Sequence, residues 1–429
     1  MCSFKEKIFS NGDTYDGCWS NGLRHGLRVY RYANGDVYDG CWSDGLMHGS
    51  GVLKFSKGDV YDGCWSNGLR HGVGVYRYAN GDVYDGCWSN GIMNGVGVYR
   101  YANGDVYDGC WSDGLKHGSG VLTFSKGDVY DGCWSNGIMN GVGVYRYANG
   151  DVYDGCWSNG LMHGSGVLTF SKGDVYDGCW SNGLMNGVGV YRYANGDVYD
   201  GCWSDGLRHG SGVQEFSKGG VYDGYWSNGL MHGLGVLRSS NGDVYDGCWS
   251  NGVRHGNGMY MWSNGSTYIG NWTKNKIDGT GTMKLANGDM YDGCWSNGIK
   301  HGFGIYGYAN GGVYDGTCSK GLRDGKGTLV YPYGSKQPSE LNKWCTIIKK
   351  SRFNSSCSEK VGGKSKSSRH SSHKISPLDE NCRDSSSTLL QTADEGQSDA
   401  SSENYMVVER EYMQGVLIKE RNLRFDVKG

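Results

Sequence analysis

The chain has 429 residues, of which 77 are glycine and 3 are proline, with 13% aromatic residues and a formal charge of -2. Glycine at this level without a G-X-Y period signals turns or a repeat array, and the aromatic content excludes a disordered glycine-rich linker. The small net charge provides no global attraction to nucleic acid or membrane, and no apolar run approaches the roughly 18–20 residues of a membrane-spanning helix.

The opening stretch, MCSFKEKIFSNGD, lacks the apolar core of a signal peptide. The chain therefore reads as cytoplasmic, and its 16 cysteines are expected to be thiols.

From Tyr15 to Tyr314 a tyrosine recurs every 23 residues, fourteen times, with no insertion or deletion. Tryptophan follows four residues later in each copy from Trp19 to Trp295, and Cys318 takes its place in the last. Between residues 99 and 213, copies ending in YRYANG alternate with copies ending in VLTFSKG or close to it, giving a 46-residue super-period.

The third copy stands for the rest. GDVYDGCWS predicts a strand in which Tyr61, Gly63 and Trp65 share one face. NGLRHG predicts a turn that includes Gly72, VGVYRY a second strand that includes Gly74, and ANGD a turn into the next copy. These five residues are the candidate packing residues, with glycine leaving room for a ring across the strand. The predicted fold is all-β: an elongated twisted ribbon of about fourteen stacked 23-residue β-hairpins, with a disordered tail. Strand spacing gives about 9.6 Å per repeat and a ribbon on the order of 130 Å.

Cys18 and its ten equivalents fall on the opposite face. At ~9.6 Å per step they cannot bridge one another or converge on one zinc ion, so they read as half-buried strand residues. The recurring histidine (His25, His48, His71 and equivalents), replaced elsewhere by Asn94 or Asp278, reads as a turn cap. No catalytic, cofactor-binding or metal site emerges. The G-x-G pairs lack the strand–loop–helix context of a dinucleotide site, and VGGKS at 361–365 fails as a phosphate loop because Ser358 stands where its first glycine belongs.

The pattern Y-x-G-x-W-x-x-G-x-x-H-G-x-G resembles the MORN repeat, over about residues 7–334. That resemblance implies arrays of hairpins that meet membranes or proteins. Members commonly carry an acid where this chain has cysteine. The pieces EKIFSNGDTYDG, NKWC and EREYMQGVLIKE, in that order, resemble plant phosphatidylinositol 4-phosphate 5-kinases. Activity, with ATP and magnesium, is implied only if a kinase domain follows Gly429; the chain as given holds no kinase motif.

Three segments follow: the array at 1–338, a disordered Ser-rich linker at 339–404, and a lead-in to a kinase domain at 405–429, apolar enough to fold against a domain outside the chain. The linker is sorted by charge. Lys343, Lys349, Lys350, Arg352, Lys360, Lys364, Lys366, Arg369 and Lys374 stand against Glu359 alone, and seven acids stand against Arg383 thereafter. Each basic residue near an anionic leaflet contributes on the order of 1 kcal/mol. The run also reads as a solvated linker or a nuclear-localisation-like signal. Trp344, with Ile347 and Ile348, adds an apolar foothold and favours the membrane. The expected partners are anionic phospholipids and proteins bound by the array, not nucleic acid, at the inner surface of the plasma membrane.

Overall fold

The structure, a computed structural model, describes residues 3–332, 405–414 and 416–424. Its regular elements are all antiparallel β-strands, with no helix among the described residues. Two compact units are present. The first, Met1–Ala194 with Ser204–Gly206, is a meander from the Ser3–Ile8 strand to the Leu184–Arg192 strand. The second, Asn195–Trp203 with Leu207–Gly429, contains the meander from Leu207–Glu215 to Leu322–Pro332, followed by Tyr405–Met413 and Val416–Arg424. The all-β hairpin reading holds in each.

The third repeat shows how the sequence builds its hairpin. Val60–Ser66 is the first strand, and Asn67 and Gly68 alone make the turn, with φ of 51° and 81°. Positive φ at both central residues is the twist-matched hairpin turn that Asn-Gly favours. The second strand, Leu69–Arg77, begins at once. It pairs Tyr61↔Tyr76 and Gly63↔Gly74, and the register then shifts to Trp65↔Arg70. His71, Gly72 and Val73 thus bulge opposite Cys64. Gly72 sits there at φ 71°, which a bulge tolerates best without a Cβ.

This corrects the sequence reading of NGLRHG. The turn is two residues long, and His71 belongs to a strand. Gly72 is the bulge residue, with Trp88 of the next repeat across from it. The period-2 pattern fades where a bulge adds residues to one strand, which is why LRHG reads as loop from sequence.

The core is the Tyr–Gly–Trp face. The repeat tyrosines are essentially inaccessible, and Trp65 is 5% exposed. The Tyr61 ring lies over the Gly63–Gly74 pair. A Cβ on Gly63 would stand 2.6 Å from Tyr61 Oη, and one on Gly74 would stand 2.6 Å from Tyr61 Cζ. The Tyr61 hydroxyl donates to the Cys64 carbonyl at 2.9 Å, so burial leaves no unpaired polar group there. Its ring meets Trp65 edge-on at 5.0 Å and Trp88 of the next repeat at 5.5 Å. Each such edge-on pair contributes roughly 0.5–1.5 kcal/mol beyond area burial. Trp65 Nε1 donates back to Gly51 O at 2.9 Å. One tyrosine and one tryptophan per repeat therefore join a hairpin to both neighbours.

The segment Tyr405–Met413 pairs antiparallel with Leu322–Pro332, and Val416–Arg424 pairs with it in turn. Sequence alone assigns this segment a partner outside the chain; the structure supplies one within it. The physical reason is that Leu322–Pro332 leaves an edge of unpaired backbone groups.

Candidate interaction surfaces

Packing consumes most of the repeated side chains, so a binding surface must come from what remains. Of the five predicted packing residues, Tyr61, Gly63, Trp65 and Gly74 meet in one layer, and Gly72 lies in the bulge behind Cys64.

A second recurrent network holds the loops. Asp82 Oδ1 accepts from Ala102 N of the following loop at 2.7 Å, and Oδ2 accepts from the Tyr99 hydroxyl at 2.9 Å. Asn80 bonds Asp82 in return. The Ala102 N–H bond chiefly holds the Asp82 carboxyl below the usual carboxylate range. Burial and the Asp59 carboxylate push the Tyr76 hydroxyl up to about 12. Where alternate repeats carry Leu53, Leu122 or Leu168 in place of that tyrosine, the loop bond survives without the phenol, as in Ser125 N to Asp105 at 2.8 Å. The 46-residue super-period is this alternation. Sequence reasoning treats the aspartate as turn chemistry only. Its signal was the G-D pair that recurs in every copy except where Gly220, Ser266 and Gly312 replace the acid.

A third position carries either a cation or an apolar residue, mostly methionine. The Arg70 guanidinium lies 4.4 Å from the Trp88 centroid and donates to Gly91 O at 2.8 Å. Lys116 Nζ lies 4.7 Å from Trp134, and burial lowers its pKa. Met93 and Met139 take equivalent places. These cations act as intramolecular staples.

The opposite face is open. Cys64 is half-buried against the bulge, where a Cβ on Gly72 would stand 3.2 Å from Cys64 Cβ. The ladder cysteines from Cys18 to Cys202 are free thiols, and no ladder cysteine joins a metal-holding group among the described residues. Cys294 departs from the expectation of thiols throughout, being disulfide-bonded. Eight of the nine recurring histidines are exposed, and none of the nine imidazoles hydrogen-bonds a turn. Where an acid replaces histidine, the cap reading does hold, but toward a neighbouring hairpin: Asp278 Oδ2 accepts from Asn297 N at 2.9 Å. Beside the histidines stand half-exposed leucines such as Leu69 and more exposed valines such as Val73, at 64%. Repetition makes this stripe apolar in a way that isolated surface leucines are not.

The ten residues of the basic run, Lys343, Trp344, Lys349, Lys350, Arg352, Lys360, Lys364, Lys366, Arg369 and Lys374, lie outside the described residues. No helix among the described residues is long and apolar enough to cross a membrane.

The repeat geometry agrees with the family comparison. The MORN repeat model matches fourteen consecutive 23-residue segments, from 15–37 to 314–336. The chain belongs to the MORN-repeat family. Each match begins at the tyrosine that fills the core of its hairpin, so the MORN motif is a packing motif here. No curated protein matches the chain. Among solved structures, the TCP domain of Drosophila melanogaster SAS-4, in complex with a proline-rich motif, is 16% identical. It covers 40% of this chain and 86% of its own, with a TM-score of 0.23. The TCP10 domain of Danio rerio CPAP is 12% identical, covering 56% and 92%, with a TM-score of 0.18. A streptogramin B lyase is 9% identical, covering 68% and 90%, with a TM-score of 0.12. At these scores none bears on function.

Proposed function

We propose that this MORN chain is a targeting and regulatory region that brings a phosphatidylinositol 4-phosphate 5-kinase to the cytoplasmic face of the plasma membrane. The observation that carries targeting is the division of labour within the repeat. Tyrosine, tryptophan, glycine and loop aspartate are spent on packing, and a repeated face of cysteine, histidine, leucine and valine is left open. The kinase association rests on the resemblance of EKIFSNGDTYDG, NKWC and EREYMQGVLIKE. The basic run from Lys343 to Lys374 supplies lipid attraction, and serines such as Ser365 and Ser368 would cancel it on phosphorylation.

Flotation of the full chain with phosphatidylserine vesicles, at 50 and 300 mM salt (about 14 and 6 Å screening lengths), tests the lipid part. The expected result is flotation at low salt that fails at high salt and in a variant with Lys349, Lys350, Arg352, Lys364 and Lys366 changed to glutamine. Flotation of that variant equal to wild type would overturn the basic-run reading. Sequencing the transcript beyond the codon for Gly429 tests the kinase part; an immediate stop codon sinks it for this product.

A second reading is a free-standing MORN scaffold that organises proteins at a membrane. The Tyr405–Met413 strand favours it, because Tyr405–Tyr412, which includes EREY, pairs with the last strand of the array itself.

A further inference from the structure

We infer that the edge of the Leu322–Pro332 strand is a hairpin-acceptor site, filled in this chain by its own Tyr405–Arg424 segment and exchangeable with that hairpin from a second copy of the chain.

The segment imitates a repeat. In the array, the bulge glycine pairs with the next tryptophan, as in Gly279↔Trp295; at the last junction the pair is Gly325↔Tyr412. Tyr412 is 6% exposed, and its ring meets Tyr314 edge-on at 6.0 Å, as a tryptophan would. Gln414 then takes φ 46°, close to the 50° of Asn297 in the matching turn. Tyr412, Met413, Gln414 and Val416 thus occupy the places of Trp295, Ser296, Asn297 and Ile299. The segment is a fifteenth hairpin whose sequence lacks the MORN signature.

The junction that holds it has lost both recurrent staples. In most repeats the indole N–H donates to a backbone carbonyl of the preceding one, as Trp272 does to Gly258 and Trp295 to Gly281, and Cys318 already lacks that donor. Tyr412 has no indole, and its hydroxyl accepts from Arg323 Nη1 at 2.9 Å instead. At most other junctions a loop aspartate accepts a backbone N–H twenty residues on, as Asp289 does from Ala309; Ser266 Oγ does the same for Ala286, and Gly220 has no such side chain. At the final junction Gly312 stands in the aspartate position and Pro332, which has no N–H, in the donor position. Two neighbouring side chains do the holding: Arg323, whose guanidinium lies 5.2 Å from the Tyr412 centroid, and Asp324, whose Oδ1 accepts from Gln414 N at 3.2 Å. An acceptor edge with backbone pairing, one aromatic slot and a two-residue clasp is a strand-addition site. Its ligand is a hairpin carrying aromatic-x-Gln-Gly, which a second copy supplies.

Hydrogen exchange on the full chain tests whether the site opens. Amides of Tyr405–Arg424 are expected to exchange at least ten-fold faster than those of Val152–Arg192, and Tyr412→Trp to slow them at least three-fold. Capture tests the acceptor. A labelled synthetic peptide of residues 405–424 should bind the full-length Tyr412→Ala chain at least ten-fold more tightly than wild type, and adding Arg323→Ala should abolish binding. Equal exchange in the two regions overturns exchangeability. Absence of capture by Tyr412→Ala, or capture that survives Arg323→Ala, overturns the acceptor site.

Discussion

Replacing Gly132 by alanine puts the packing account under direct strain. The new Cβ would stand 2.5 Å from Gly143 Cα across the strand pair and 2.6 Å from Tyr130 Oη. Neither neighbour is the free end of a flexible side chain. The Tyr130 ring is fully buried and its hydroxyl is tied to Cys133 O at 3.0 Å. Overpacking of this kind costs about 1–3 kcal/mol, and disturbing the tyrosine hydrogen bond adds about 1 kcal/mol. A total of roughly 2–4 kcal/mol corresponds to about 30- to 900-fold faster exchange through local opening. Because a repeat touches mainly its neighbours, the loss should stay local. Hydrogen-exchange mass spectrometry should therefore show faster exchange in Val129–Arg146 and in the flanking strands, and little change near the Ser3–Ile8 strand. As a control, Val142→Thr, at a side chain 63% exposed, should change exchange by less than about three-fold. If Gly132→Ala exchanges like wild type, the tyrosine-over-glycine account is wrong.

Three further outcomes follow from the same geometry. Trp157→Phe removes the indole donor to Gly143 O and should lower stability by about 1–2 kcal/mol, read by urea unfolding; no change would count against the indole staple. The loop aspartates Asp82, Asp105 and Asp151 have folded pKa values held below the usual carboxylate value, chiefly by backbone N–H bonds. Their contribution is therefore fully present above the unfolded carboxylate pKa, about 4, and is lost as pH falls through the lowered folded values. The urea midpoint should be insensitive to these groups between pH 5 and 7 (that range again set by a carboxylate pKa of about 4) and should drop below it; a fall starting well above pH 5 would implicate other groups. A thiol reagent under native conditions should label half-buried Cys87 and Cys110 before the buried Cys248 and Cys318, and equal rates would contradict the described face.

Much of the repeat is legible because a 23-residue period copies every clue. Tyr61, Gly63 and Trp65 fall at i, i+2 and i+4, so period-2 geometry alone places them on one face, and the structure puts them in one core. The histidine escapes that logic. A bulge at Gly72 breaks the alternation, so LRHG looks like loop although it is strand. The loop aspartate is visible as a recurring letter, but its partners lie twenty residues on, in the next repeat, and only pairing in space reveals the staple. Tyr412 is hidden differently: it occupies a tryptophan slot without the surrounding consensus, and residues 333–404 separate it from the strand it joins.

The most direct test of the targeting proposal is imaging of the full chain, fluorescently tagged, in living cells, beside the variant with Lys349, Lys350, Arg352, Lys364 and Lys366 changed to glutamine. The account predicts a plasma-membrane rim for the wild type and a diffuse cytoplasmic signal for the variant. A diffuse or nuclear signal for the wild type, or an undiminished rim for the variant, would contradict it.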